Sequence, residues 1–341
     1  MLQTVLEQPQ KVVLREVEKP KAGENEVLIK IKKIGVCGSD VHAYYGKHPY
    51  ITCPIVQGHE FSGQITELGV NAGKFKLGDM VTAMPQLVCG KCYNCTHGRY
   101  NICSGLKVIG CQADGAAQEY FAVDEKLVLK LPDGMSYDHG AMVEPLAVGV
   151  HAVGRLGDIK DKNLVILGAG PIGNLTAQAA KGLGAKSVII VDLSNYRLGI
   201  ARECGVDHTV NSAEENLQEA IVGYFGEDLA DAMLECVGVQ PTIEQAVKYA
   251  RKGTDIIIVG VFGNKPAVDM GLVQDKELRL VGTLMYMEQD YHTAIDLISS
   301  GKVNLNPLIS KYFTFKEYAA AYKFIEQNGE KTMKVLIDME G

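Results

Sequence analysis

A short apolar run, Leu164 to Leu167, leads directly into Gly168-Ala169-Gly170-Pro171-Ile172-Gly173, and the spacing predicts a helix over Ile172 to Leu183. A strand, a glycine turn and a helix in immediate succession leave few folds open, because the turn must reverse the chain within a few residues and lay the helix back on the strand. The pattern then repeats. Ser187 to Val191, Ala232 to Cys236 and Ile256 to Val259 read as further buried strands, with helical spacing at Tyr196 to Cys204 and Thr242 to Arg251. Strands that alternate with helices build a parallel sheet covered on both faces, an α/β architecture. In that setting the glycines have separate duties: Gly168 permits the tight turn, Gly170 lets backbone approach a pyrophosphate, and Gly173 lets helix and strand pack closely. Pro171 and Ile172 open the helix whose amino terminus faces the phosphates. Asp192, at the end of the second strand, stands where a carboxylate accepts from a ribose 2′-hydroxyl and repels a 2′-phosphate, so the expected cofactor is NAD rather than NADP. Arg197 is expected on the adenine side.

Cys89, Cys92, Cys95 and Cys103, spaced C-x2-C-x2-C-x7-C, place four thiols within one short stretch. Four thiolates close a tetrahedral shell around zinc, and a closed shell leaves no position for substrate, so this metal is expected to be structural. The remaining five cysteines, Cys37, Cys53, Cys111, Cys204 and Cys236, read as isolated residues, which are usually small buried hydrophobes. With no secretion-type segment apparent at the amino terminus, the cysteine usage suggests a reducing, cytoplasmic setting.

The chain has 341 residues, more than one ordinary core, which suggests two domains. At 47% hydrophobic and 22% charged it reads as folded, and no apolar run approaches a bilayer span. A net charge of −7 without a Lys/Arg cluster argues against nucleic acid and favours a small-molecule ligand. The first third carries short β segments at Glu26 to Ile34, Gly63 to Leu68 and Met80 to Ala83, punctuated by Gly and Pro. Beyond an amphipathic helix at His292 to Ser300, a helix at Lys316 to Glu326 and a strand at Lys334 to Ile337 are too little to stand alone, so the tail is expected to complete the first domain.

Away from the four-cysteine stretch, Cys37, His59 and Glu60 offer one thiolate, one imidazole and one carboxylate, the mixed set of a catalytic zinc that keeps a position open. Their flanking text is Gly35-Val36-Cys37-Gly38-Ser39-Asp40-Val41-His42 and Gly58-His59-Glu60-Phe61-Ser62-Gly63. With the four-cysteine lobe, the run Met142 to His151, the glycine turn and Val191-Asp192-Leu193-Ser194, these segments resemble the zinc-containing medium-chain dehydrogenases essentially from end to end. The resemblance points to the polyol branch, similar to sorbitol (L-iditol 2-) dehydrogenases and to galactitol-1-phosphate 5-dehydrogenases. Glu144 indicates that branch, since alcohol dehydrogenases carry cysteine at the matching place.

The resemblance implies a GroES-like β-rich catalytic domain over 1–148, completed by 285–341, and a Rossmann doubly wound domain over 149–284. It implies one catalytic and one structural zinc per chain, with the catalytic ion held by Cys37, His59 and either Glu60 or Glu144. Asp40 is then expected to orient His59, and Ser39 and His42 to relay a proton to solvent. The implied reaction is hydride transfer from a secondary hydroxyl of a polyol or polyol phosphate to NAD, in a homodimer or homotetramer. Animal sorbitol dehydrogenases have tyrosine at the place of Ala43 and an Arg-Tyr pair where this chain has Met285-Tyr286. Tyr44, Tyr45 or the segment Gly46 to Tyr50 is expected to refill that pocket, and Lys47 and His48 could meet a phosphate. Threonine or 2,3-butanediol oxidation, and an NAD- and zinc-binding redox sensor, are the competing readings.

Overall fold

The computed structural model describes residues 1–340, which divide into two compact units. The first comprises Met1–Glu144 together with the segment that starts at Ile309, and the second is Pro145–Leu308. The chain returns to the first unit at Ile309 rather than at 285, and the second unit begins at Pro145 rather than at 149. The helix Glu288–Ser299 stays with the second unit because it buries Tyr291, Ala294, Ile295, Leu297 and Ile298 there.

The first unit is built on a seven-stranded sheet whose centre is the long strand Glu26–Val36. Glu60–Leu68 and Lys334–Asp338 pair with it antiparallel, at registers that set Gly35 opposite Glu60 and Leu336, and Val36 opposite Val335. The carboxy-terminal strand thus brings Lys334 beside the start of the Glu60–Leu68 strand, 274 residues away in sequence. Gly35 is the residue that permits this, because a Cβ there would lie 2.2 Å from Glu60 Oε2.

The second unit is a six-stranded, all-parallel sheet. Its spatial order is His208–Asn211, Ser187–Asp192, Asn163–Leu167, Ala232–Glu235, Asp255–Ile258, Arg279–Gly282. The order reverses direction beside the first strand, which is the doubly wound arrangement, and places the glycine turn at the switch point. Leu164, Val165 and Ile166 have no exposed surface, as expected of a strand with helices on both faces. The strand His208–Asn211 has no equivalent in the sequence reading: its His-Thr-Val-Asn lacks an apolar run. No helix of the described residues is long and apolar enough to cross a membrane.

Candidate metal and dinucleotide sites

Cys37, His59 and Glu60 converge in the first unit, with one ligand atom from each lying within 4.8 Å of the others. Cys37 caps the helix Gly38–Tyr44, and its N–H donates to Asp40 Oδ2 at 3.0 Å. Asp40, with no exposed surface, holds its other oxygen 3.7 Å from His59 Nδ1, an ion-pair approach longer than a hydrogen bond. Burial drives the Asp40 carboxyl pKa up, against the charge of His59. Behind it, Gln57 Nε2 donates to the Asp40 backbone oxygen at 3.2 Å, and the Tyr322 hydroxyl donates to Gln57 Oε1 at 2.7 Å.

The ring of His59 reports the character of this site. Burial opposes its positive charge, yet Asp40, Cys37 and the sulfur contacts outweigh burial and raise the His59 pKa well above the ordinary value. An imidazole held among a thiol and the carboxylates of Asp40 and Glu60 has surroundings that suit a bound cation. The thiol, imidazole and carboxylate are zinc donors, so the residues fit the expected metal.

Glu60 has a partner the sequence does not announce. Lys334 Nζ donates to both carboxylate oxygens, at 2.8 and 2.7 Å, and to the Val36 backbone oxygen at 3.4 Å, with both side chains buried. Burial works against the ammonium, but Glu60, Cys37 and Glu144 together hold the Lys334 pKa above the ordinary lysine value. Glu144, buried at the start of the helix Val143–Gly154, lies outside the three-residue group.

Ser39 and His42 lie one turn apart on the helix Gly38–Tyr44. The Ser39 hydroxyl is buried without a hydrogen-bond partner, whereas His42 is exposed. The neighbouring tyrosines are held by another helix: Tyr44 is 3% exposed and stacked on Tyr322, and the Tyr45 hydroxyl donates to Glu326. Both are taken up in docking the helix Tyr318–Gln327. In the second unit Tyr286 is likewise fully buried, against Tyr291. Burial, then His42 and His59, lower the His48 pKa, which leaves Lys47 as the cation of that segment.

The four cysteines form a compact knot. Sulfur separations are 3.5 Å for Cys92 to Cys95, 3.5 Å for Cys89 to Cys103 and 3.9 Å for Cys92 to Cys103, with no disulfide among the described residues. Backbone N–H groups turn inward: Cys89 and Gly105 donate to Cys103 Sγ at 3.3 Å, while those of Cys95 and Ser104 pull the Cys92 thiol down to about 5. N–H groups aimed at sulfur favour thiolate, the form that binds zinc.

At the glycine turn of the second unit, Gly168 has φ +102°, a conformation other residues rarely adopt, and a Cβ on Gly173 would sit 1.9 Å from the Gly168 oxygen. Gly170 differs. It caps the helix Pro171–Gly182, and a Cβ there would meet only Arg197 Nη1, at 3.8 Å. That open space at a helix amino terminus is what a pyrophosphate requires, so the residues fit a dinucleotide. Asp192 Oδ2 accepts from Ala169 N at 2.8 Å, its Oδ1 accepts from Ser194 N at 2.9 Å, and Arg197 Nη1 stands 3.9 Å away. Each oxygen keeps a lone pair for a further donor. The next helix, Asn195–Glu203, is capped by Ser194, which accepts from Arg197 N.

Residues 23–133 match the model of the alcohol dehydrogenase GroES-like domain, and residues 171–300 match that of the zinc-binding dehydrogenase. A sorbitol dehydrogenase of Halalkalibacterium halodurans is 37% identical over 95% of this chain and 94% of its own. The crystal structure of galactitol-1-phosphate dehydrogenase from Escherichia coli superposes with a TM-score of 0.92 at 34% identity, covering 99% of this chain and all of its own (100%). A zinc-binding dehydrogenase structure from Sinorhizobium meliloti, bound to NADP, has a TM-score of 0.89 at 30% identity, covering 99% of this chain and 98% of its own.

Proposed function

This chain belongs to the zinc-binding dehydrogenases with a GroES-like domain, a family of oxidoreductases, and from that premise we propose that it oxidises a secondary hydroxyl of a sugar alcohol with NAD. The observation that carries the reading is the convergence of Cys37, His59 and Glu60, with one ligand atom from each within 4.8 Å of the others. In this reading Cys37 and His59 hold the catalytic zinc, with Glu60 as the carboxylate of the group, and the ion supplies Lewis acidity to a bound hydroxyl. The dinucleotide, seated on the glycine turn, supplies the hydride acceptor.

The chain's own residues then have definite tasks. Asp40 biases the His59 ring by its charge, and Gln57 and Tyr322 hold Asp40 in place. Ser39, whose hydroxyl is buried and otherwise unpartnered, accepts the hydroxyl proton as it gives up its own, and a relay through the cofactor ribose would carry that proton to exposed His42 on the same helix and on to water. Ser39→Ala is expected to lower kcat by about two orders of magnitude while zinc content stays unchanged. Stopped-flow NADH absorbance with metal analysis of the same sample measures both, and an unaltered kcat removes Ser39 from the relay.

The four-cysteine knot is assigned to a second, structural zinc. Cys103→Ser is expected to lose one bound zinc by atomic emission and to raise hydrogen exchange across residues 89–105, because a structural zinc site contributes folding energy directly. Full retention of metal would contradict the assignment.

The substrate is tested by initial rates on matched free and phosphorylated sugar alcohols, with threonine and 2,3-butanediol, each with NAD and NADP. Turnover of sorbitol, xylitol or L-iditol supports the reading, and silence across the panel defeats it. Turnover confined to phosphorylated substrates would favour Lys47 as an anion partner, a role open to it because, among the described residues, its exposed ammonium is engaged only over the Tyr45 ring, at 5.6 Å.

A further inference from the structure

Glu235 ends the strand Ala232–Glu235 with a side chain that has no exposed surface, on the opposite side of Asn163–Leu167 from the strand that ends in Asp192. Its Oε1 accepts from Val237 N at 2.9 Å, from Gly238 N at 2.8 Å and from the Thr242 hydroxyl at 2.6 Å, so residues 236–239 are folded back over the strand end and tied to the helix Gln240–Tyr249. The same residue reaches the next loop. Its backbone oxygen accepts from Val259 N at 2.8 Å and from Gly260 N at 2.9 Å, and a Cβ on Gly260 would lie 2.6 Å from Glu235 Oε2. Gly238, where φ is +81°, closes on that loop in turn, since a Cβ there would lie 2.5 Å from the Val261 oxygen.

The loop that follows Glu235 also packs on the glycine turn: a Cβ on Gly168 would lie 2.5 Å from Val237 Cγ2, and Cys236 N donates to Leu167 O at 2.9 Å. Val237 and Val261 nevertheless keep exposed side chains, Val261 to 85%. The strand order decides what can meet them. A dinucleotide with its pyrophosphate on the glycine turn and its adenosine ribose at Asp192 continues in one direction only, across Asn163–Leu167 to the ends of Ala232–Glu235 and Asp255–Ile258.

We propose that Glu235 is a positioning residue for the nicotinamide half of the cofactor: by fixing residues 236–239 and 259–261 it presents Val237 and Val261 as an apolar wall on which that half rests. The proposal rests on the reading that the glycine turn binds NAD, and adds a residue that touches no part of the cofactor itself. Without the Glu235 side chain, Val237 N and Gly238 N lose their acceptor and the wall loosens. Asp192 is held separately, by Ala169 N and Ser194 N, so the adenosine half is insulated from the change.

Calorimetric titration of the full chain with NADH and with ADP-ribose, which lacks the nicotinamide, separates the two halves. Glu235→Ala is expected to weaken NADH binding by about tenfold or more and ADP-ribose binding by less than about twofold, and the retained ADP-ribose affinity also shows that the variant is folded. Thr242→Val deletes one donor to Oε1 at a half-buried position with a side chain of similar shape, and is expected to weaken NADH alone by about threefold. That variant decides the matter should the alanine variant fail to fold. NADH affinity that Thr242→Val leaves unchanged, or that falls in step with ADP-ribose affinity in either folded variant, overturns the proposal and leaves the dinucleotide reading standing. Wild type that binds neither molecule overturns both.

Discussion

Replacing Lys334 with methionine is expected to destabilise the first unit by about 3–4 kcal/mol at neutral pH, out of all proportion to the loss of one surface-type charge. Lys334 is 3% exposed and bonds both oxygens of a carboxylate that is 1% exposed. Removing one member of a buried pair strands the other, and the usual cost is about 3–5 kcal/mol. A stranded carboxyl escapes by taking up a proton, which at pH 7 costs about 3–4 kcal/mol for a group of ordinary Glu pKa. That escape fixes the sign of the pH dependence. In the variant the folded state binds a proton that the unfolded state has released, so stability falls as pH rises above about 4.3 and the deficit closes as pH drops toward that value. Hydrogen exchange of peptides covering Glu26–Val36 and Lys334–Asp338 reads the loss without assuming that two units unfold together. The double variant Lys334→Met, Glu60→Gln is expected to recover most of it, since neither member of the pair then leaves a stranded charge. If the double variant is as unstable as the single one, the loss does not come from a stranded Glu60 carboxylate.

That ion pair also marks the boundary of what a linear reading reaches. Features written within one short stretch, such as the glycine turn with its strand and helix or the four-cysteine spacing, are legible because local geometry alone decides them. The position of Asp192 is legible for the same reason, being the end of a strand a fixed distance from the turn. Lys334 and Glu60 each look like a charge in an apolar strand, and only the register on Glu26–Val36 makes them partners. A lysine opening the otherwise apolar Val335-Leu336-Ile337 was the available signal, since a buried ammonium demands an anion. The return of the chain at Ile309 was missed because the helix Glu288–Ser299 is amphipathic and fits either unit by pattern; which one covers its apolar face is a matter of packing.

Asp192 carries the second large prediction: Asp192→Asn is expected to shift the ratio of kcat/KM for NADP over NAD upward by at least about two orders of magnitude. A 2′-phosphate placed where the carboxylate meets a 2′-hydroxyl would face a like charge, and at about 4 Å with an effective dielectric near 20 the repulsion is about 4 kcal/mol. The substitution removes that repulsion while keeping the side chain's size. It also weakens NAD binding, because a charged acceptor for the ribose hydroxyl contributes about 1.5–3 kcal/mol. Arg197, whose Nη1 now stands 3.9 Å from the carboxylate, becomes available to the phosphate. One cost accompanies the change. Asp192 accepts from both Ala169 N and Ser194 N, and asparagine has only one oxygen, so one of those donors loses its partner and the glycine turn loosens. Such loosening raises KM for both dinucleotides alike and leaves their ratio unmoved. The ratio therefore separates the electrostatic role from the structural one: steady-state kinetics with both cofactors at a saturating polyol would show a rise in each KM with a constant ratio if Asp192 served only to brace the turn.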